Sequence, residues 1–83
     1  MLWYVETSVR LSYRDRYALI IYSTSLRMIV KVSTTAQIEK KDLLYPIENA
    51  LYTINKKTDK TLKVLYAIKY SRQKWNAIIN ITP

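Results

Sequence analysis

Apolar and polar side chains alternate at the start of the chain. Trp3, Val5, Val9 and Leu11 are apolar, and most of the residues between them are polar. A period of two places successive side chains on opposite faces of an extended chain, so residues 3–11 are predicted to form a half-buried β-strand. The same period recurs later in the chain, and it predicts further strands over residues 27–33, 62–70 and 75–81.

The segment between the first two predicted strands is expected to be a helix over residues 13–25. Ser12 followed three residues later by Asp15 is typical of a helix N-terminus, where an acidic side chain in the first turn is favourable. Apolar residues of this segment also recur at helical spacing. The apolar run at residues 20–22 suits a strand as well, so a strand remains the alternative for this segment.

A second helix is predicted before the third strand, with two possible starts. A helix that begins at Thr34 contains Pro46 in its interior and is kinked there at a cost of about 3 kcal/mol. A helix capped by Asp42 places Pro46 in or just past the first turn, where proline is tolerated. Both starts remain open, and both use the apolar stripe formed by Leu43, Leu44, Ile47, Leu51 and Ile54.

These elements predict one basic α+β domain spanning residues 1–83. The order is strand, helix, strand, helix, strand, strand, and two helices that cover one sheet make a two-layer βαβαββ sandwich. The last two strands are expected to form a hairpin joined by Ser71–Lys74. The alternative is a βββαββ order, with one helix on an antiparallel sheet.

The charge of the chain points to a negatively charged partner. Fourteen basic and six acidic residues give a formal net charge of +8, and residues 61–83 contain no acidic residue. A one-sign segment on a small domain favours nucleic acid as the partner. The chain has no glycine, which excludes the glycine-rich loops that bind nucleotide phosphates.

The composition argues against an enzyme. There is no histidine and no cysteine, so the commonest general base and the thiolate nucleophile are both missing. The six acidic residues do not cluster, and we expect no metal and no cofactor. No signal peptide and no apolar run of 18 residues is present, so we expect no membrane span and a cytoplasmic location.

Four segments of the chain match the pattern of a known family: Val9–Ser12 followed by Arg14, Arg27–Lys31, Lys63–Lys69 and Asn76–Ile81. They resemble the strands of the Alba superfamily of archaeal chromatin and RNA-binding proteins. Asp42 also stands where that family has an acidic residue in its second helix. The resemblance implies a βαβαββ fold, also found in the C-terminal domain of translation initiation factor three, and a hairpin arm that grips nucleic acid.

The charge and the resemblance together predict a small nucleic-acid-binding protein. We expect it to be a homo- or heterodimer that binds RNA, or DNA without sequence preference, through its basic turn and hairpin. Basic side chains contact phosphates, and an aromatic side chain stacks on a base or sugar. The predicted binding residues are Arg10, Tyr13, Arg14, Arg16, Lys31, Lys69, Arg72 and Lys74.

The alternative function is a protein-interaction subunit of a larger, ribonucleoprotein complex that docks on an acidic partner. Eight tyrosines and two tryptophans in 83 residues favour interfaces of either kind. A third interpretation, a small viral or plasmid protein that blocks a host nucleoprotein, also fits the composition. Binding to nucleic acid weakens steeply with salt, whereas an interface with an apolar centre responds little, and this difference separates the first two interpretations.

Overall fold

The computed structural model describes residues 2–11 and 14–81, with the side chain of Ile81 excepted. In this part of the chain, six antiparallel strands form a closed barrel in the order β1-β2-β3-β6-β5-β4, followed by one helix. The elements are β1 (Trp3–Arg10), β2 (Arg16–Ser23), β3 (Leu26–Ser33), β4 (Leu43–Pro46), β5 (Leu51–Ile54), β6 (Lys57–Lys69) and α1 (Arg72–Ile81). That helix is too short to cross a membrane, as is every helix in the described residues.

The predicted βαβαββ sandwich is therefore wrong, and the first error is the helix over residues 13–25. This segment is β2, which pairs with β1 on one side and β3 on the other. Leu19 and Ile21 point into the barrel, while Ala18 and Ile20 lie under α1. A strand that is buried on both faces reads as a continuous apolar run, and such a run cannot be told from a buried helix by its period.

The second predicted helix is also wrong from either of its two starts. Thr34 does not cap a helix, because its hydroxyl donates to the Thr61 carbonyl (2.7 Å) and accepts from the Ala36 N–H (3.0 Å). The apolar stripe from residue 43 to residue 54 instead forms the β4–β5 hairpin. Leu44 and Ile54 are direct partners in it, and both are buried.

The last predicted strand, over residues 75–81, is α1. The Lys74 backbone N–H donates to the Ser71 hydroxyl (3.1 Å), so Ser71 caps the helix. One face of the helix carries apolar residues at the i, i+3, i+4 spacing, namely Trp75, Ile78 and Ile79. This face packs against the outer side of the sheet. The alternative βββαββ order also misplaces the helix, which follows the last strand. The strands predicted over residues 3–11, 27–33 and 62–70 match β1, β3 and the second half of β6.

The apolar core has two layers separated by the wall of the barrel. The inner layer fills the barrel and includes Leu19, Val32 and Leu44, each at most 1% exposed. The outer layer lies between the sheet and α1, where Trp75 covers neighbours that include Ile29. Strands β2 and β3 contribute to both layers, so they are the central elements of the fold.

Turns in this glycine-free chain place other residues in the left-handed region. Ala50, in the β4–β5 turn, has φ of 66° and is exposed. Alanine at positive φ is strained, whereas glycine adopts this conformation freely. We expect Ala50→Gly to raise the free energy of unfolding by about 0.5–1 kcal/mol, measured by urea denaturation.

The same substitution in a strand is the control for this prediction. Ala67 is exposed and lies in β6, where glycine only adds conformational freedom to the unfolded chain. Ala67→Gly should therefore lower stability by about 0.5–1 kcal/mol. Equal effects of the two substitutions would contradict the left-handed geometry at Ala50.

Candidate functional site

The structure separates the basic residues that were predicted to bind nucleic acid together. Arg10 lies at the end of β1 beside a polar cleft of about 490 Å³ that Asp15 also lines. Arg14 is exposed in the β1–β2 connection, and the Arg16 guanidinium donates to the Ser33 hydroxyl (2.8 Å). Tyr13 lies outside the described residues. Arginines 10, 14 and 16 therefore sit at one end of the barrel.

Two of the predicted lysines meet elsewhere. Lys31 and Lys74 line an apolar groove of about 280 Å³ between β6 and α1, and the Lys31 Nζ lies 5.5 Å from the centre of the Tyr66 ring. Lys69 ends β6, and Arg72 begins α1. The expectation that Arg72 and Lys74 form a hairpin tip is wrong, because both belong to the helix.

A row of aromatic and charged side chains crosses three strands on the outer face of the barrel. Tyr4 is the direct partner of Tyr22 across β1 and β2, and Tyr22 is the partner of Arg27 across β2 and β3. Direct partners in antiparallel strands share a face. The two tyrosine rings stack, with their centres 5.3 Å apart and their planes 18° apart. The row ends at Tyr70, whose ring centre lies 4.0 Å from the Arg27 guanidinium carbon.

Glu6 fixes the orientation of Arg27 within this row. The Nε and Nη2 atoms of Arg27 donate to the two carboxylate oxygens of Glu6 at 3.1 and 2.6 Å. The hydrogen bond to Glu6 raises the pKa of Arg27 above its ordinary value. Because the pair is open to water, its effect on stability is small. Its main consequence is geometric, since the guanidinium is held between the Glu6 carboxylate and the Tyr70 ring.

We call this row the tyrosine face: Tyr4, Tyr22, Arg27 and Tyr70. The side chains of Tyr4 and Tyr22 are 39% and 37% exposed, although their rings are large. Exposed tyrosine and arginine are enriched at protein–protein interfaces. No cluster of metal-ligating residues occurs in the described ranges.

Sequence reasoning missed the tyrosine face. Its members come from β1, from the β2–β3 hairpin and from the residue after β6, so only the strand register brings them together. The high tyrosine content was the one available signal, and it did not say which tyrosines meet.

Comparison with known proteins points to a single family. The model of the IraM/PmrD family matches residues 1–76. The signal transduction protein PmrD of Escherichia coli K12 is 35% identical over 77 residues, which cover 90% of this chain and 88% of the relative. The signal transduction protein PmrD of Salmonella typhimurium LT2 is 30% identical over 80 residues, which cover 94% of each protein.

Solved structures agree with these relatives. The crystal structure of E. coli PmrD superimposes with a TM-score of 0.94 at 32% identity, and the match covers 100% of both chains. The solution structure of PmrD from Klebsiella pneumoniae gives a TM-score of 0.80 at 25% identity, covering 93% of this chain and 96% of the other.

These matches correct the predicted family and function. The resemblance to the Alba superfamily is wrong, because it rested on a strand and helix order that the barrel does not have. The prediction of a nucleic-acid-binding protein of archaeal or viral type, with RNA or DNA as its partner, is wrong as well. The relatives are bacterial proteins named for signal transduction, and the alternative of a protein-interaction subunit fits them better.

Proposed function

Because the chain belongs to the IraM/PmrD family, we propose that it is a signal transduction protein that acts by binding a protein partner. Both curated relatives carry the name signal transduction protein, and each aligns over most of its length. The proposal includes the absence of catalysis, since a chain without histidine or cysteine has few groups for acid–base or nucleophilic chemistry. It also places the protein in the cytoplasm.

The tyrosine face is the observation that carries this proposal. Tyrosine supplies a large contact area at a low cost in side-chain entropy, and arginine is a frequent hot-spot residue. Here Tyr4 and Tyr22 are held by stacking, and Arg27 is held by Glu6 and Tyr70. A surface whose side chains are already ordered loses little entropy when it binds.

The charge of the protein selects the kind of partner. A net charge of +8 on 83 residues attracts an acidic surface and accelerates the encounter with it. The six acidic residues cannot neutralise the fourteen basic ones, and their effect is local, as in the pair of Arg27 with Glu6. We therefore expect a protein partner whose docking surface combines carboxylates with apolar side chains.

The test uses an E. coli K12 strain that lacks its own PmrD. The transcripts that change when that protein is lost define its output, and we expect expression of this chain to restore them. Tyr22→Ala should leave at most a tenth of the restoration, because loss of a central aromatic side chain typically costs about 2 kcal/mol or more of binding. RNA sequencing measures the outcome.

The matched control is Tyr66→Ala. Tyr66 is 47% exposed and also lies on the outer face, but it is four residues back along β6 from Tyr70, about 13 Å away. This variant should restore the transcripts fully. A photo-crosslinking phenylalanine analogue should trap one protein when it replaces Tyr22 and none when it replaces Arg14, which is exposed at the opposite end of β2. Full restoration by Tyr22→Ala would exclude the tyrosine face as the surface that binds the partner. No restoration by the unchanged chain would exclude the proposed signalling function.

A further inference from the structure

Strand β6 is much longer than the strand beside it. It has 13 residues, whereas β5 has four. Residues 57–63 of β6 pair with β5, and residues 63–69 pair with β3. The Val64 N–H donates to the Ala50 carbonyl (2.9 Å), and this is the last hydrogen bond on the β5 side of the strand within residues 2–11 and 14–81. Past residue 64, β6 therefore has a neighbouring strand on one side only.

The register shows which backbone groups point away from β3. The Tyr70 N–H donates to the Arg27 carbonyl (3.1 Å), so these two residues form a hydrogen-bonded pair. In antiparallel strands such pairs alternate with pairs that share no hydrogen bond. Lys69 and Ala67 lie one and three residues before Tyr70, at the positions that share no hydrogen bond with β3. Their N–H and C=O groups therefore point to the side without a strand.

We call residues 65–69 the β6 edge. Leu65 occupies the irregularity between the two pairing registers and is 48% exposed, and Ala67 and Lys69 are exposed as well. An open edge with unpaired N–H and C=O groups is a template for another strand. Lys69 is the kind of charged residue that protects an edge from uncontrolled pairing, whereas Leu65 and Ala67 leave its centre apolar.

We propose that the β6 edge binds an extended acidic segment of the signalling partner as an added β-strand. The proposal rests on the proposed function, because it states how the partner is held. In strand addition, main-chain hydrogen bonds supply affinity and side chains beside the edge supply specificity. Here Lys69 lies on the edge itself, and the segment around the edge is cationic. Residues 61–83 contain Lys63, Lys69, Arg72 and Lys74 and no acidic residue.

The charge also argues against a second copy of this chain as the occupant. Each copy carries a net charge of +8, and pairing two β6 edges brings their basic segments together. Like charges that face each other across a strand pair are destabilising. An acidic segment meets the same cations with attraction, so it is favoured over self-association.

The test measures backbone hydrogen exchange of the full chain by NMR. The probe is a capped eight-residue peptide that alternates glutamate and threonine. In the free protein, the amides of Ala67 and Lys69 should exchange fast, while those of Tyr66 and Ile68 should be protected by β3. Peptide at millimolar concentration should slow exchange at Ala67 and Lys69 at least tenfold. A peptide that alternates lysine and threonine should have no effect.

Two outcomes would overturn the proposal. The first is unchanged exchange at both amides with saturating acidic peptide. The second is protection without peptide that grows with protein concentration, which would make a second copy the occupant. This measurement contains no signalling partner. The peptide can therefore fail to bind while the chain still restores the transcripts, so the two proposals are tested independently.

A pair of variants tests the role of the backbone N–H itself. Ala67→Pro removes an N–H that does not bond to β3, and proline is tolerated at such edge positions. It should keep the fold, seen in an unchanged amide spectrum away from β6, and weaken peptide binding at least tenfold, read at Lys69. Ala67→Ser keeps the N–H and should bind as the unchanged chain does. Unweakened binding by the folded Ala67→Pro variant would refute strand addition.

Discussion

Replacing Leu19 with alanine should lower the free energy of unfolding by about 2–5 kcal/mol. Leu19 is 0% exposed and lies in the inner layer of the core, on a strand that is paired along both of its edges. Because the barrel wall cannot collapse onto the space left by the lost methyl groups, the cavity adds to the lost transfer free energy. Small domains are stable by only about 5–15 kcal/mol, so the loss is a large part of the total.

Urea denaturation followed by circular dichroism measures this loss. The matched control is Leu26→Ala, the same substitution at a position that is 39% exposed at the start of β3. We expect the control to change stability by less than about 1 kcal/mol, since Leu26 belongs to neither layer of the apolar core. Similar losses for both variants would mean that Leu19 does not fill the barrel.

The second large effect is expected at Trp75. Its side chain is 9% exposed and belongs to the outer layer with Ala18, Ile20 and Ile29. Loss of a buried tryptophan typically costs about 3–5 kcal/mol. A ten-residue helix is marginal in water without tertiary packing, so α1 should detach in Trp75→Ala while the barrel persists.

Thermal denaturation and hydrogen exchange together test this prediction. The melting temperature should fall, and the amides of α1 should exchange faster than those of β2. Asn76→Ala, at the exposed neighbouring position, should leave both readouts nearly unchanged. If α1 stayed protected in Trp75→Ala, the outer layer would not depend on this tryptophan.

The sequence predicted the strands in which polar residues interrupt the apolar ones. Alternation identified β1, where polar residues stand on both sides of Val9, and β3, where Lys31 stands between Val30 and Val32. It identified them although each strand has apolar residues on both faces. It failed for β2, where Ala18 to Ile21 are buried on both faces and no polar position marks the period. The short strands β4 and β5 were predicted as a helix because the apolar residues from 43 to 54 fit helical spacing. The same residues also fit two strands that are joined by a turn.

The C-terminal element shows the opposite ambiguity. Trp75, Ala77 and Ile79 alternate as a strand would, yet Trp75, Ile78 and Ile79 also fit one helix face. The deciding signal is local, because Ser71 lies three residues before Lys74 and caps the helix there. That signal was available in the sequence and was outweighed by the expectation of a hairpin.

The sequence indicated that the protein has a binding surface, but it did not show which residues form that surface. The tyrosine content and the basic charge indicated a binding surface, and the alternative of a protein partner followed from them. The meeting of Tyr4 with Tyr22 depends on the register of β1 with β2, and the meeting of Arg27 with Tyr70 depends on the register of β3 with the distant β6. Register is a property of the assembled barrel, so no local pattern encodes it.

The division of pairing along β6 has a consequence for how the chain acquires its structure. Strands β1, β2 and β3 are consecutive, and their contacts form between neighbours in sequence. The pairing of Met28 with Lys69 closes a loop of about forty residues, which costs more chain entropy. On a ribosome, the three-stranded meander emerges first, with both of its apolar faces uncovered. Synthesis of residues 57–81 then closes the barrel and adds the helix, so the basic end of the chain completes the domain.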